Sequence, residues 1–142
     1  EVASVRTALQ HLSEQQTGAL IVLAKDANLE NLAYSGVRID AQISEQLLES
    51  IFNKTSPLHD GAVILRKGKI VSAGGVLPLS EKADLPQKAG LRHRAAVGVT
   101  EQLNVAAVVV SEETGRISWA YEGQFIQDVE MGELEAFLGA HL

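Results

Sequence analysis

The run Val-Ala-Ala-Val-Val-Val at residues 105–110 constrains the fold of this chain more than any other segment. Six apolar residues in a row, without polar alternation, read as a strand buried on both faces. Residues 18–24, Gly-Ala-Leu-Ile-Val-Leu-Ala, repeat the pattern, with the strand proper expected over 19–24. Both runs fall far short of the roughly 20 apolar residues that a bilayer-spanning helix needs. A chain of 142 residues with 46% hydrophobic side chains has the usual size of one domain around a sizeable core.

The remaining periodicities supply cover for such strands. Val2, Val5, Ala8, Leu9 and Leu12 recur at helical spacing and predict an amphipathic helix over 2–15. Ser44 offers an N-cap for a second helix carrying Leu47, Leu48 and Ile51, expected to stop near Lys54. Residues 62–65 and 70–73, joined through Lys67 and Gly68, read as a β-hairpin. Residues 91–101 predict a helix despite the internal Gly98, 117–121 a further strand, and Leu134, Phe137 and Leu138 a short terminal helix. Residues 26–40 read as irregular and 80–90 as a surface loop. Strands interleaved with helices, some joined by tight hairpins, predict a single α/β domain over 1–142 with a mixed central sheet flanked by helices.

Composition excludes several functions. Cysteine is absent, so disulfides, thiolate metal sites and sulfur nucleophiles are ruled out. A formal charge of −6 argues against a general nucleic-acid surface, because that affinity rests on neutralising many phosphates. A local basic pocket for one small phosphate ligand remains open. The chain opens at Glu1 with neither an initiator Met nor a signal peptide, which reads as a fragment of something longer.

Three segments carry more polar chemistry than a core or turn requires. In Leu58-His59-Asp60-Gly61-Ala62, a carboxylate at a strand mouth stands beside a glycine that lets a ligand approach the backbone. Such a group suits a divalent cation or a hydroxyl that must lose a proton; the plain alternative is an Asp-Gly turn, with His59 a packing residue. In Gly90-Leu91-Arg92-His93-Arg94, three potential cations open a helix and oppose its dipole unless an anion sits nearby. A solvated basic surface is the alternative there. Val110-Ser111-Glu112-Glu113-Thr114-Gly115 places a hydroxyl and carboxylates at the end of the most apolar strand, as either a cation and phosphate site or a charged turn.

Other chemistries lack support. Ser56, His59 and Asp60 are too close in sequence to converge as a hydrolytic triad, and no phosphate-loop or dinucleotide glycine pattern occurs. The pair Gly74-Gly75 hints at a close backbone approach.

Ser-Pro-Leu-His-Asp-Gly-Ala at 56–62, Leu-Pro-Leu-Ser at 77–80, Arg-His-Arg-Ala-Ala at 92–96 and Val-Ser-Glu-Glu-Thr-Gly at 110–115 together resemble the diadenylate cyclase family. The likeness runs in order from the first helix to about Tyr121 and is closest to the membrane-anchored bacterial branch. It implies condensation of two ATP into cyclic di-AMP, with Asp60 holding the metal and helping to activate a ribose 3′-hydroxyl. It further implies that Gly61 and Ala62 shape the nucleotide pocket, and that Arg92, His93 and Arg94 contact the phosphates and their surroundings. By the same resemblance the Leu77 backbone reads adenine, Ser111 meets the terminal phosphates, and Glu113 assists the metal, with Glu112 the alternative. The implied cation is Mg²⁺ or Mn²⁺, with Co²⁺ also admissible.

General chemistry is consistent with that assignment. A carboxylate with an ordinary pKa of about 3.9 is a weak base for an alcohol unless a cation lowers the alcohol's own pKa. Each family domain holds one ATP, so the resemblance implies two domains face to face, in a homodimer or larger assembly. It also implies that the missing upstream part is a set of transmembrane helices. The cyclase domain would then lie at the cytoplasmic face of the bacterial membrane, the present fragment being soluble and without a nucleic-acid partner. Leu91 stands where many relatives have Thr, and Val76 where some have an aromatic. The alternatives are a catalytically inactive adenine-nucleotide sensor and a metal-dependent phosphodiesterase, the latter opposed by the lack of paired His ligand spacing.

Overall fold

In the computed structural model, residues 1–25, 35–82, 84–85 and 90–142 are described. Along the chain these hold α1 (Val2–Glu14), β1 (Ala19–Leu23), β2 (Val37–Gln42), α2 (Glu45–Phe52), β3 (Ala62–Arg66) and β4 (Lys69–Gly75). There follow α3 (Leu91–Gln102), β5 (Ala106–Val110), β6 (Ile117–Tyr121), β7 (Gln124–Ile126) and α4 (Met131–His141). The seven strands form one sheet in the order β2-β4-β3-β1-β5-β6-β7. Only β1 and β3 pair in parallel; every other neighbouring pair is antiparallel. The expected α/β class with a mixed sheet flanked by helices is therefore what the chain forms.

The two apolar runs are the central strands, and their lack of alternation has a simple cause. Each faces apolar cover on both sides. Ile21, Leu23, Val108 and Val110 point into a core shared with α1, α2 and α4, through Val5, Leu9, Leu48, Phe52, Leu134 and Leu138. Leu20, Val22, Ala107 and Val109 point the other way, against Ala95, Ala96, Val97 and Val99 of α3. The side-chain period of two along each strand thus divides one apolar run between two layers.

Local signals account for the helix ends. The Ser44 hydroxyl accepts the Leu47 amide at 3.1 Å and caps α2. Glu130 and Glu133 form a reciprocal capping box at the start of α4. Gly98, the residue expected to weaken a helix, is required within α3: a Cβ there would lie 2.0 Å from the Pro78 carbonyl oxygen. That approach lets residues 77–80 cross α3 in contact with its backbone.

Two strands were illegible in the sequence. Residues 26–40 read as irregular, yet Val37–Gln42 pairs with β4 as a sheet edge. It is mostly exposed, its register shifts between Arg38 and Ala41, and Asp40 takes a positive φ of 53°, so it carries no periodic apolar signal. The opposite edge, β7, has three residues and the same lack of signal. Residues 26–34, and 83 and 86–89 of the expected surface loop, lie outside the described residues.

Candidate functional site

Sheet topology brings one set of strand ends to the same edge. Ala62 at the start of β3 pairs with Gly75 at the end of β4, and Ala19 at the start of β1 pairs with Val110 at the end of β5. Because β1 and β3 are parallel, these two junctions lie side by side. Asp60 and Gly61, residues 75–77, and residues 110–113 therefore meet, although far apart in the chain. The N-terminus of α3 joins them through Gly90, Leu91, Arg92 and His93.

The result is a cleft of about 650 Å³ lined by all of these residues, with Leu20 and Leu79. Of the residues singled out in the sequence, Asp60, Gly61, Leu77, Arg92, His93, Ser111 and Glu113 line it, as does Glu112. Gly61 sits at φ +118°, and a Cβ there would approach the Gly74 carbonyl carbon to 2.7 Å. A side chain is thus excluded where β3 and β4 converge under Asp60. Ala62 and Arg94 do not line the cleft.

Arg92 is the electrostatic centre. Its Nη2 lies 3.4 Å from Asp60 Oδ1 and its Nη1 3.9 Å from Glu112 Oε2. Its side chain is 21% exposed while that of Asp60 is 82% exposed, so the carboxylate projects into the cleft from a partly buried cation. His59 adds a second contact, Nε2 to Asp60 Oδ1 at 3.6 Å, with its Nδ1 2.7 Å from the Ser56 carbonyl. His59 is thus held by its own turn beside Asp60.

His93 follows Arg92 into a more enclosed position. Its ring meets Phe125 edge to face at 5.7 Å between centroids. Burial first, and the Arg92 charge second, hold its pKa below the ordinary 6.5, against an opposing pull from Glu113. His93 is accordingly neutral at neutral pH. Its Nδ1 is buried without a hydrogen-bond partner among the described residues.

Ser111 organises the acidic turn. Its amide donates to the Arg116 carbonyl at 3.0 Å, and its Oγ accepts the amides of Glu113 and Thr114 at 3.2 and 3.3 Å. Those bonds leave the hydroxyl proton available to a ligand oxygen. At the other end of the turn, the Ser13 hydroxyl donates to the Gly115 carbonyl and ties it to the end of α1.

Arg94, expected from the resemblance to contact phosphate, lies outside the cleft lining and bonds to the segment that precedes α3. Its Nη1 donates to the Ser80 and Lys82 carbonyls at 3.2 and 3.3 Å. The Ser80 amide donates back to the Arg94 carbonyl at 2.9 Å, and the Ser80 hydroxyl donates to Glu101 at 3.1 Å. Arg94 therefore fastens residues 77–82, which include the cleft wall at Leu77 and Leu79, onto α3. Two residues apart on a helix point about 200° apart, so Arg92 and Arg94 face different neighbours.

The donor set in the cleft suits a hard divalent cation. Asp60, Glu112 and Glu113 offer oxygen only, as Mg²⁺ and Mn²⁺ prefer, and one or two carboxylates suffice when phosphates complete the shell. Among the described residues, the one cluster of three close metal-type ligands is His11, Glu45 and Glu49 on the surface of α1 and α2. It lies on the sheet face opposite α3 and takes no part in the cleft.

Comparisons with known proteins bear on the family and the fold. A family profile described as DAC, DisA bacterial checkpoint controller nucleotide-binding, matches residues 6–125. The chain is 46% identical over 119 residues to diadenylate cyclase CdaS of Bacillus thuringiensis, covering 84% of this chain and 59% of that protein. A crystal structure of a double mutant of DacA from Staphylococcus aureus superimposes with a TM-score of 0.96 at 39% identity, covering 99% of this chain and 93% of that one. A structure described as a hypothetical membrane spanning protein from Bacillus cereus gives 0.86 at 43% identity, covering 90% and 63%. The chain spans less than two thirds of the CdaS relative's length.

Proposed function

The chain belongs to the DAC family of DisA-type nucleotide-binding domains, and from that membership we propose that it is a diadenylate cyclase, condensing two ATP into cyclic di-AMP with release of two pyrophosphates. The observation that carries the reading is the 3.4 Å approach of Arg92 to Asp60 inside a cleft that also holds Ser111, Glu113 and Leu77. The cleft thus combines one guanidinium, the exposed carboxylates of Asp60, Glu112 and Glu113 and one hydroxyl, a set that would suit a triphosphate and a ribose. The diadenylate cyclases among the relatives support the activity, and the arrangement offers a way to perform it.

The steps assigned to this chain are positioning and proton handling. Leu77 and its backbone form the adenine wall, held by Arg94 through residues 80 and 82. Arg92, the free backbone amides at the start of α3 and the Ser111 hydroxyl neutralise and orient the phosphates. Asp60 takes the proton from the ribose 3′-hydroxyl as that oxygen bonds to the α-phosphorus of the facing nucleotide and the bond to pyrophosphate breaks. Asp60 and Glu113 would hold a divalent cation, Mg²⁺ or Mn²⁺, which lowers the pKa of the hydroxyl and offsets phosphate charge. His93, neutral beside Phe125, packs the start of α3 without adding a second positive charge.

Two such bonds close the ring, and each needs a nucleotide in a second, facing domain. A cleft open on one side and rimmed by exposed Val76, Leu79 and Leu91 is consistent with a second copy as its cover. Among the described residues no helix is long and apolar enough to cross a membrane. The likeness to a hypothetical membrane spanning protein supports an anchor elsewhere in the whole protein, and on this reading the domain would lie at the cytoplasmic face.

Incubating the domain with ATP and Mg²⁺ or Mn²⁺ over a protein concentration series, with nucleotides resolved by chromatography and mass, tests the reading. Cyclic di-AMP formed with a specific activity that rises with protein concentration is the expected outcome. ATP bound without product at any concentration would overturn it in favour of a nucleotide-sensing module.

A further inference from the structure

Arg92 reaches Asp60 and Glu112 because of a space at the junction of α1 and β1. A Cβ built on Gly18 has as its three nearest neighbours atoms of one group: Arg92 Nη1 at 2.6 Å, Cζ at 2.7 Å and Nε at 3.1 Å. Arg92 Nε is buried and has no hydrogen-bond partner among the described residues. Hydrogen bonds therefore do not hold that end of the guanidinium; packing does. Gly18 is not among the glycines with positive φ, so its backbone accepts alanine and a methyl group there would act through Arg92.

We propose that Gly18 is a positioning residue: the space left by its missing side chain is the seat of the Arg92 guanidinium and aims it between Asp60 and Glu112. This rests on the reading that Arg92 meets the phosphates of ATP. A methyl group at 18 requires the guanidinium to shift, and the far end of a long side chain shifts without disturbing the core. The fold survives, and what is lost is alignment with the cleft.

The test is a double-mutant cycle on ATP affinity, with Gly18→Ala in the Arg92 and the Arg92→Ala backgrounds, adenosine affinity and melting temperature being measured alongside. The expected result is about a tenfold loss of ATP affinity in Gly18→Ala, near the scale of one misaligned charge-assisted hydrogen bond. Adenosine affinity and melting should stay unchanged, and Gly18→Ala should have no further effect once Arg92 is alanine. An equal loss in both backgrounds, or an equal loss for adenosine, would overturn the proposal. A direct readout is the ¹⁵Nε resonance of Arg92, assigned by its disappearance in Arg92→Lys, which should shift in Gly18→Ala; an unmoved resonance also refutes the seat. If Arg92→Ala itself leaves ATP affinity intact, the phosphate role fails, and the seat is then judged on the resonance alone.

Discussion

Arg92 and Asp60 stand 3.4 Å apart as an ion pair of unequal burial, the cation largely enclosed and the carboxylate largely in solvent. An exposed partner makes the pair a small contributor to stability, about 0–1 kcal/mol. Its value lies in what it presents to the cleft.

Asp60→Asn should therefore separate activity from folding. The amide keeps the shape but cannot accept the ribose proton, so cyclic di-AMP formation should fall by at least about a hundredfold, the lower end of general-base contributions. The melting temperature should barely move. Chromatographic product analysis and thermal unfolding of the same preparation check both halves; undiminished synthesis would refute the role given to Asp60.

Arg94→Ala should behave in the opposite way. Removing the guanidinium strips a donor from the carbonyls of Ser80, which is 3% exposed, and Lys82. The cost should be about 1–3 kcal/mol of stability with no nucleotide present. Denaturant unfolding measures it, and faster amide exchange at Ser80 locates it. A variant as stable as the parent that fails only in triphosphate binding would return Arg94 to the phosphate role.

Val76 lines the cleft and is 76% exposed. Val76→Tyr should add a surface for the base to stack on, a gain of about 1–3 kcal/mol if it approaches the single-strand scale. Calorimetric titration should show tighter binding of ATP and adenosine alike, with inorganic triphosphate unaffected.

Stability should also depend on pH through a contact remote from the cleft. His11 Nδ1 lies 3.1 Å from Glu49 Oε1, and that hydrogen bond, with the charges of Glu49, Glu14 and Glu45, raises the His11 pKa above 6.5. A raised folded-state pKa means that the contribution is fully present below the unfolded value of 6.5 and is lost as pH rises through the folded value. Melting curves from about pH 6 to about pH 8.5 should decline more steeply for the parent than for Glu49→Gln. Parallel curves would remove the pair from the account.

Legibility tracked the range over which each signal acts. The central strands, α1, the capped α2 and the β3-β4 hairpin could be read from the sequence, because apolar period, N-cap and turn chemistry are short-range. The edge strand Val37–Gln42 could not: a strand paired on one side and exposed needs no apolar pattern. Gly98 looked like a cost to its helix, and only the Pro78 carbonyl against it explains its presence.

The candidate site divides along the same line. The residue types and their grouping in three short segments were present in the sequence, where each segment left a site and a plain turn or surface open, and the family resemblance gave them their expected roles. Which members meet was decided by pairing between distant strands, Ala19 with Val110 and Ala62 with Gly75, and by helical rotation that turns Arg92 to the cleft and Arg94 to the 77–82 segment. Gly18 left no signal, since an empty space has meaning only when the side chain that fills it is in view. By itself the sequence determined local structure and the chemistry available; the tertiary structure alone decided convergence, because contacts between residues distant in the chain depend on sheet order and packing, which no local pattern encodes.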